Sequence, residues 1–195
     1  MIAIVDYGIG NIRSVGNALE RIGCGFTLTS DPDSIRKADK VLLPGVGHAA
    51  EAMSNLRERG LCQVIRELRQ PVLGICVGLQ VMCRDSEEGD AECLGIFDSH
   101  VRRFIQAADA KVPHMGWNSI CNLDGKLFRG MSSGEHVYFV HSYYPTLCQD
   151  TVATCRHGNT MFSAALRYEN FYGTQFHPEK SGDAGEQILR NFITL

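Results

Sequence analysis

Cys76 stands between two glycines in Gly74-Ile75-Cys76-Val77-Gly78, after the apolar run Pro71-Val72-Leu73 and before Leu79-Gln80-Val81-Met82. The pattern predicts a strand, a sharp turn and a helix. A nucleophile on such a turn is exposed at the carboxyl end of its strand, and small residues two positions to either side let the arms approach closely. The turn also sets Cys76 at a helix N-terminus, where unpaired backbone N–H groups and the helix dipole favour thiolate over thiol. Taken alone, the segment reads equally well as a small core residue between packing glycines.

A cysteine nucleophile needs a base, and Gln175-Phe176-His177-Pro178-Glu179-Lys180 offers one. A histidine leaving a strand, a proline that limits local freedom and a carboxylate beyond it can place His177 beside Cys76 while Glu179 bonds the other ring nitrogen. That is a triad for acyl transfer. Oxyanion donors would come from the N–H of Val77 and from Pro44-Gly45-Val46-Gly47, with Val46 and Gly47 at the turn. Gly45-Val46-Gly47-His48-Ala49-Ala50 also fits the dinucleotide fingerprint G-x-G-x-x-A. Its context is wrong: it follows the third strand, and the next strand ends in Cys76, not in an acidic residue. Gly8-Ile9-Gly10 has Arg13 where a third glycine would stand. No cofactor is expected.

The elements that must position these groups follow from periodicity. Ile2 to Val5 reads as a buried strand and Val15, Leu19 and Ile22 as a helix, followed by Phe26-Thr27-Leu28-Thr29, which closes a β-α-β unit. Ser30-Asp31-Pro32 is a turn, Ile35 to Ala38 a short helical piece, and Val41-Leu42-Leu43 a third strand. Helix runs to Arg59, and Val64, Ile65 and Leu68 mark another helix before the strand that begins at Pro71. Asp85 to Glu92 reads as a solvated acidic connection. Beyond it, strands are expected at Val101 to Ile105, Val112 to Ile120, Val137 to Tyr144, Thr151 to Arg156, Met161 to Tyr168 and Phe171 to Phe176. The two-residue connections Gly158-Asn159 and Glu169-Asn170 predict antiparallel hairpins. Ile188, Leu189 and Phe192 belong to a closing helix. The expectation is a three-layer α/β fold of flavodoxin-like type, one domain over residues 1–195, with a mixed, largely parallel central sheet and the site at the strand C-terminal edge.

Composition narrows the class. The 195 residues carry a formal net charge of −3, which argues against nucleic acid as partner, and no apolar run approaches the ~20 residues of a membrane span. Met1 to Val5 lacks the basic start of a signal peptide, so a cytoplasmic location is expected. The eight cysteines are scattered without C-x-x-C spacing and away from the histidines, which predicts free thiols and no metal site.

G-I-C-V-G-L-Q at Gly74 to Gln80, P-G-V-G at Pro44 to Gly47 and F-H-P-E at Phe176 to Glu179 together resemble the triad, or class I, glutamine amidotransferases over almost the whole chain. Asp6 to Asn11, Pro113 to Asn118, Tyr138 to Tyr144 and His177 to Ser181 most resemble the glutaminase branch that serves imidazole glycerol phosphate synthesis in histidine biosynthesis. His48 departs from it, standing where a small residue is expected after P-G-V-G. The resemblance implies Cys76, His177 and Glu179 as the triad, with Gly47, Gln80, Ser142 and Tyr143 near a bound L-glutamine. It also implies ammonia delivered through a channel to a cyclase partner with a (β/α)8 barrel, in a heterodimer. In such a site Cys76 attacks the amide, ammonia leaves and water hydrolyses the thioester. The isolated chain is expected to be nearly inactive, with an N–H of Gly45-Val46-Gly47 turned from the oxyanion position until the partner docks. Trp117, the single tryptophan, is either a core residue or an interface anchor; the resemblance favours the interface. A γ-glutamyl hydrolase or related cysteine peptidase would share the elbow and histidine. The glutaminase of pyridoxal phosphate synthesis would share the reaction but not the M-G-W-N and H-S-Y-Y segments. A catalytically silent binding protein would have no use for an intact Cys-His-Glu set.

Overall fold

The computed structural model describes residues 1–107 and 110–195. The first half alternates β1 (Ile2–Val5), α1 (Ile12–Arg21), β2 (Phe26–Thr29), α2 (Pro32–Lys37), β3 (Lys40–Gly45), α3 (Ala49–Glu58), α4 (Leu61–Glu67), β4 (Val72–Cys76) and α5 (Val77–Gln80). The second half is mostly strand: β5 (Asp85–Ser86), β6 (Ala91–Glu92), β7 (His100–Arg103), β8 (His114–Ser119), β9 (His136–His141), β10 (Tyr143–Pro145), β11 (Thr151–His157), β12 (Thr160–Tyr168) and β13 (Phe171–Thr174). A single turn of 3-10 helix at Pro178–Lys180 precedes α6 (Gly182–Ile193).

A seven-stranded sheet in the order β11-β12-β13-β4-β3-β1-β2 forms the middle layer. The five strands from β13 to β2 are parallel, and β12 and β11 add antiparallel through the two hairpins expected from Glu169-Asn170 and Gly158-Asn159. β1, β4 and β13 are buried along their whole length and β3 from its second residue, which is why β1, β4 and the Val41-Leu42-Leu43 part of β3 read as apolar runs. Right-handed crossovers place α1 on one face and α2, α3 and α4 on the other, because the chain steps outward from β1 to β2 and then back across to β3 and β4. Asp31 starts α2: its carboxylate accepts from the Ser34 N–H at 2.9 Å, with Pro32 in the first helical turn.

Four expected boundaries are corrected. The run Val137 to Tyr144 is not one strand. It breaks at Ser142, so β9 pairs with β8 in a two-stranded ribbon while β10 joins a separate sheet ordered β10-β7-β5-β6. Asp85 to Glu92 is not a solvated loop either: β5 and β6 form a short hairpin in that second sheet, with Ser86 and Ala91 buried. The helix after Cys76 stops at Gln80, because the main chain of Leu94 to Phe97 donates to the carbonyls of Val81, Met82 and Cys83 and fixes a turn there. β7 ends at Arg103, leaving Ile105 87% exposed.

Candidate active site

The sheet register brings the reactive residues to one edge. Gly45 at the end of β3 is paired with Cys76 at the end of β4, and Thr174 at the end of β13 is paired with Ile75. Gln175, Phe176 and His177 therefore leave the sheet beside Cys76. Cys76 has φ 55° and ψ −110°, a conformation that costs a non-glycine residue roughly 1–3 kcal/mol and holds only when its surroundings enforce it. The surroundings are glycine-lined. A Cβ on Gly78 would lie 1.8 Å from the carbonyl oxygen of Leu43, and one on Gly74 would lie 2.7 Å from the carbonyl of Gly78. The elbow thus packs main chain against main chain.

His177 and Glu179 are both buried, with Nδ1 of the ring 2.8 Å from Glu179 Oε1. Pro178 opens the 3-10 turn that folds the carboxylate back onto its ring. Asn11 Nδ2 donates to the same oxygen at 3.5 Å. The loop bearing the histidine is tied to β9: the His177 N–H donates to Tyr138 O at 2.9 Å, while Ser181 Oγ donates to His177 O at 2.6 Å and accepts from the Tyr138 N–H at 2.9 Å. Burial works against an imidazolium here, but Cys76 and Glu179 outweigh it and push the His177 pKa up to about 10. Nε2 makes no hydrogen bond to a described residue, so this nitrogen is free for proton transfer with Cys76 or a substrate.

Cys76, His177 and Val77 line a cavity of about 160 Å³. Val46 and Gly47 after β3, Gln80 of α5, and Val140, His141, Ser142 and Tyr143 also line it. Every residue expected at the site thus meets in or directly behind one small cavity. Gly47 has φ +96°, a conformation natural to glycine. Trp117 does not lie in the core; it is 57% exposed on β8, near Met115 at 63%.

Some residues of this site carried no role in the sequence reading. Glu88, assigned there to a solvated connection, is the one carboxylate among the described residues that line the cavity, and its Oε2 accepts from the Ala49 N–H at the start of α3 at 2.8 Å. His48 lies against the same hairpin, where a Cβ on Gly89 would meet its ring at 2.6 Å. The departure from the expected small residue is thus absorbed by a glycine opposite. Tyr7 is buried and its hydroxyl donates to Pro44 O at 2.7 Å; burial, and Cys76 nearby, hold the phenol well above its ordinary range. Tyr7 and Asn11 belong to the loop after β1, whose motif supplied the only available signal.

The family model for class-I glutamine amidotransferases matches residues 3–195. The imidazole glycerol phosphate synthase subunit HisH of Bacteroides fragilis (strain YCH46) is 54% identical over 195 residues, covering 100% of this chain and 99% of that protein. HisH 1 of Vibrio vulnificus (strain YJ016) is 43% identical over 201 residues, covering 100% and 98%. Among solved structures, one described as a glutamine amidotransferase aligns with TM-score 0.76 at 18% identity, over 100% of this chain and 98% of its own. A glutamine amidotransferase from Thermotoga maritima aligns with TM-score 0.61 at 17% identity, over 99% and 82%.

Proposed function

The chain belongs to the class-I glutamine amidotransferases, and from that premise we propose that it is the glutaminase subunit of an imidazole glycerol phosphate synthase. The observation that carries the chemistry is the strained Cys76 elbow sharing one small cavity with His177, whose ring is held by Glu179. Identity of 43–54% over the full chain to HisH proteins supports the choice of synthase.

In this reading His177 takes the Cys76 proton, and the thiolate attacks the carboxamide carbon of L-glutamine. Backbone N–H groups of Val77 and of the Val46-Gly47 turn receive the oxyanion. His177 returns the proton to the leaving nitrogen as ammonia departs, then activates water to hydrolyse the thioester to glutamate. Gln80, Ser142 and Tyr143 border the rest of the substrate, and Glu88 is placed to meet its α-ammonium. A cavity of about 160 Å³ suits a single amino acid, well below the several hundred Å³ usual for larger ligands. That size speaks against a peptidase. The ammonia passes through a channel to a cyclase subunit with a (β/α)8 barrel, within a cytoplasmic heterodimer whose joint reaction includes the lyase step. Exposed Trp117 and Met115 belong to the docking face. Docking turns the peptide ahead of Gly47 so that its N–H meets the oxyanion, which limits glutamine loss when no acceptor is bound.

The test is glutamate release by the chain alone, with a co-purified cyclase, and with an acceptor analogue added. Activity should rise in that order, and Cys76→Ala should abolish it while ammonia-driven synthesis by the complex persists. Glutamate release by Cys76→Ala at the wild-type rate would end the proposal.

A further inference from the structure

Behind the nucleophile lie two buried carboxamides, Gln80 and Gln175. Gln80 Nε2 donates to Tyr143 O at 3.0 Å and to Gln175 Oε1 at 2.9 Å, and Gln175 Nε2 approaches Cys76 Sγ at 3.7 Å. The two ends of a carboxamide are nearly equal in shape, so only partners reveal which end is nitrogen. Here a main-chain carbonyl decides. Tyr143 O can only accept, so the end of Gln80 facing it is the nitrogen. The second hydrogen on that nitrogen meets Gln175, whose facing atom must then be oxygen. The remaining end of Gln175, the donor, is thereby aimed at the sulfur.

That carbonyl is itself held in place. His141 Nδ1 lies 2.7 Å from it, His114 Nδ1 lies 3.0 Å from His141 Nε2, and Asn118 Nδ2 lies 3.1 Å from His114 Nε2. With each ring neutral and protonated on Nδ1, all three contacts are satisfied in one direction, from Asn118 towards Tyr143. The His114 ring is fixed between Phe139 and His157, stacked at centroid distances of 4.7 and 4.2 Å.

We propose that Gln175 is a catalytic residue that donates a hydrogen bond to the Cys76 thiolate, and that Gln80 is the positioning residue that keeps this amide from flipping. The proposal rests on the glutaminase reading for its substrate, but not for its chemistry. The other polar neighbour of the sulfur on this side, Val140 O at 4.0 Å, is an acceptor and gives an anion nothing. A thiolate in a buried site needs donors; His177, once it holds the Cys76 proton, is one and Gln175 is the second. Gln80 then has two tasks, presenting its oxygen to the ligand cavity and its nitrogen to the frame that orients Gln175.

The test replaces Gln175 by methionine, which keeps the shape and removes the donor. Alkylation of Cys76 by iodoacetamide at neutral pH is followed on its own peptide, because Cys24, Cys62, Cys121 and Cys148 are also accessible. Losing a charge-assisted bond reduces the thiolate population about ten- to a hundredfold, and roughly half of that, on a logarithmic scale, is returned by the greater nucleophilicity of a more basic sulfur. Alkylation should therefore slow about three- to tenfold. In the complex with the cyclase, kcat for glutamine should fall while KM stays within about twofold, since Gln175 lies behind the cavity and does not line it. An alkylation rate within twofold of wild type overturns the proposal. Should the wild-type complex release no glutamate, the substrate reading fails, while the alkylation comparison still judges Gln175. Should Gln175→Met not fold, the Nε2 protons of Gln175 in the wild-type chain decide by NMR. One should lie downfield of its position in Cys76→Ala, and identical positions refute the bond.

Discussion

Gly78→Ala probes the elbow at its tightest point. The added Cβ would sit 1.8 Å from Leu43 O, whereas real Cβ contacts essentially never fall below 3.0 Å, so α5 must retreat from β3 by more than 1 Å. Neither side has a flexible side chain to yield; the obstacle is the main chain of a strand buried from its second residue onward. Two losses follow. Overpacking of this kind costs about 1–3 kcal/mol, which in a chain of this size lowers Tm by roughly 2–12 °C. The retreat also carries Cys76 and the Val77 N–H away from Gly45 and His177, and misplacement by 1 Å costs about 10²-fold in rate. Glutamate release by the complex and thermal unfolding of the chain measure the two separately. Gly25→Ala is the control, because nothing lies within 4 Å of its Cβ and both readouts should match wild type. A Gly78→Ala complex with kcat within twofold of wild type would refute the claim that elbow packing sets the nucleophile's position, even if Tm had fallen.

His177→Ala should damage kcat/KM more than Glu179→Gln, by roughly ten- to a hundredfold, because the orienting carboxylate acts only through the ring; equal losses would remove Glu179 from that role. His114 is held at about 4 by burial and by His157, and burial holds His141 well below the usual histidine range as well. The unfolded chain binds the His114 proton near pH 6.5 and the folded chain only near 4, with His141 shifted in the same direction, so the stability that His114 contributes is intact above 6.5 and is lost as the pH falls towards 4. Urea midpoints from pH 7.5 to 4.5 should drop more steeply in wild type than in His114→Gln; parallel curves would contradict the buried neutral pair. Trp117→Ala should leave Tm within about 2 °C of wild type and weaken binding of the cyclase more than tenfold by titration, whereas undiminished binding would take Trp117 off the docking face.

The parts of the site that were legible in the sequence are those whose chemistry is local. Gly74 and Gly78 announce a close approach around Cys76, and Pro178 between His177 and Glu179 announces a folded-back carboxylate; both are properties of a few consecutive residues. Glu88 was not legible, because its meaning depends on β5 and β6 joining the second sheet and on the start of α3 lying opposite. A run rich in acids gives no hint of either. Ser142 was missed as a break for a related reason: the apolar alternation continues through it, and only pairing to two different partners ends one strand and starts the next. Gln175 needed three-dimensional neighbours to acquire an orientation at all. Trp117 shows the limit from the other side, since composition places tryptophan in cores and interfaces alike and only its exposure takes it out of the core.

The break at Ser142 has a mechanical corollary. β8 and β9 are registered only with each other through their six pairs, and the first pair of the next sheet, Tyr143 with Arg103, begins one residue beyond. Ser142 is the joint between them: its carbonyl accepts from the Phe104 N–H at 3.0 Å, just past β7, so the second sheet holds the chain where the ribbon ends. Its outer face carries Met115 and Trp117, while its inner edge holds Tyr138, from which the main chain of His177 hangs. The ribbon thus joins an exposed face to the loop that carries His177. Tyr143, the cavity wall beyond the joint, is held instead by Arg103 of the second sheet, and His177 follows Thr174, which is paired with Ile75 beside Cys76.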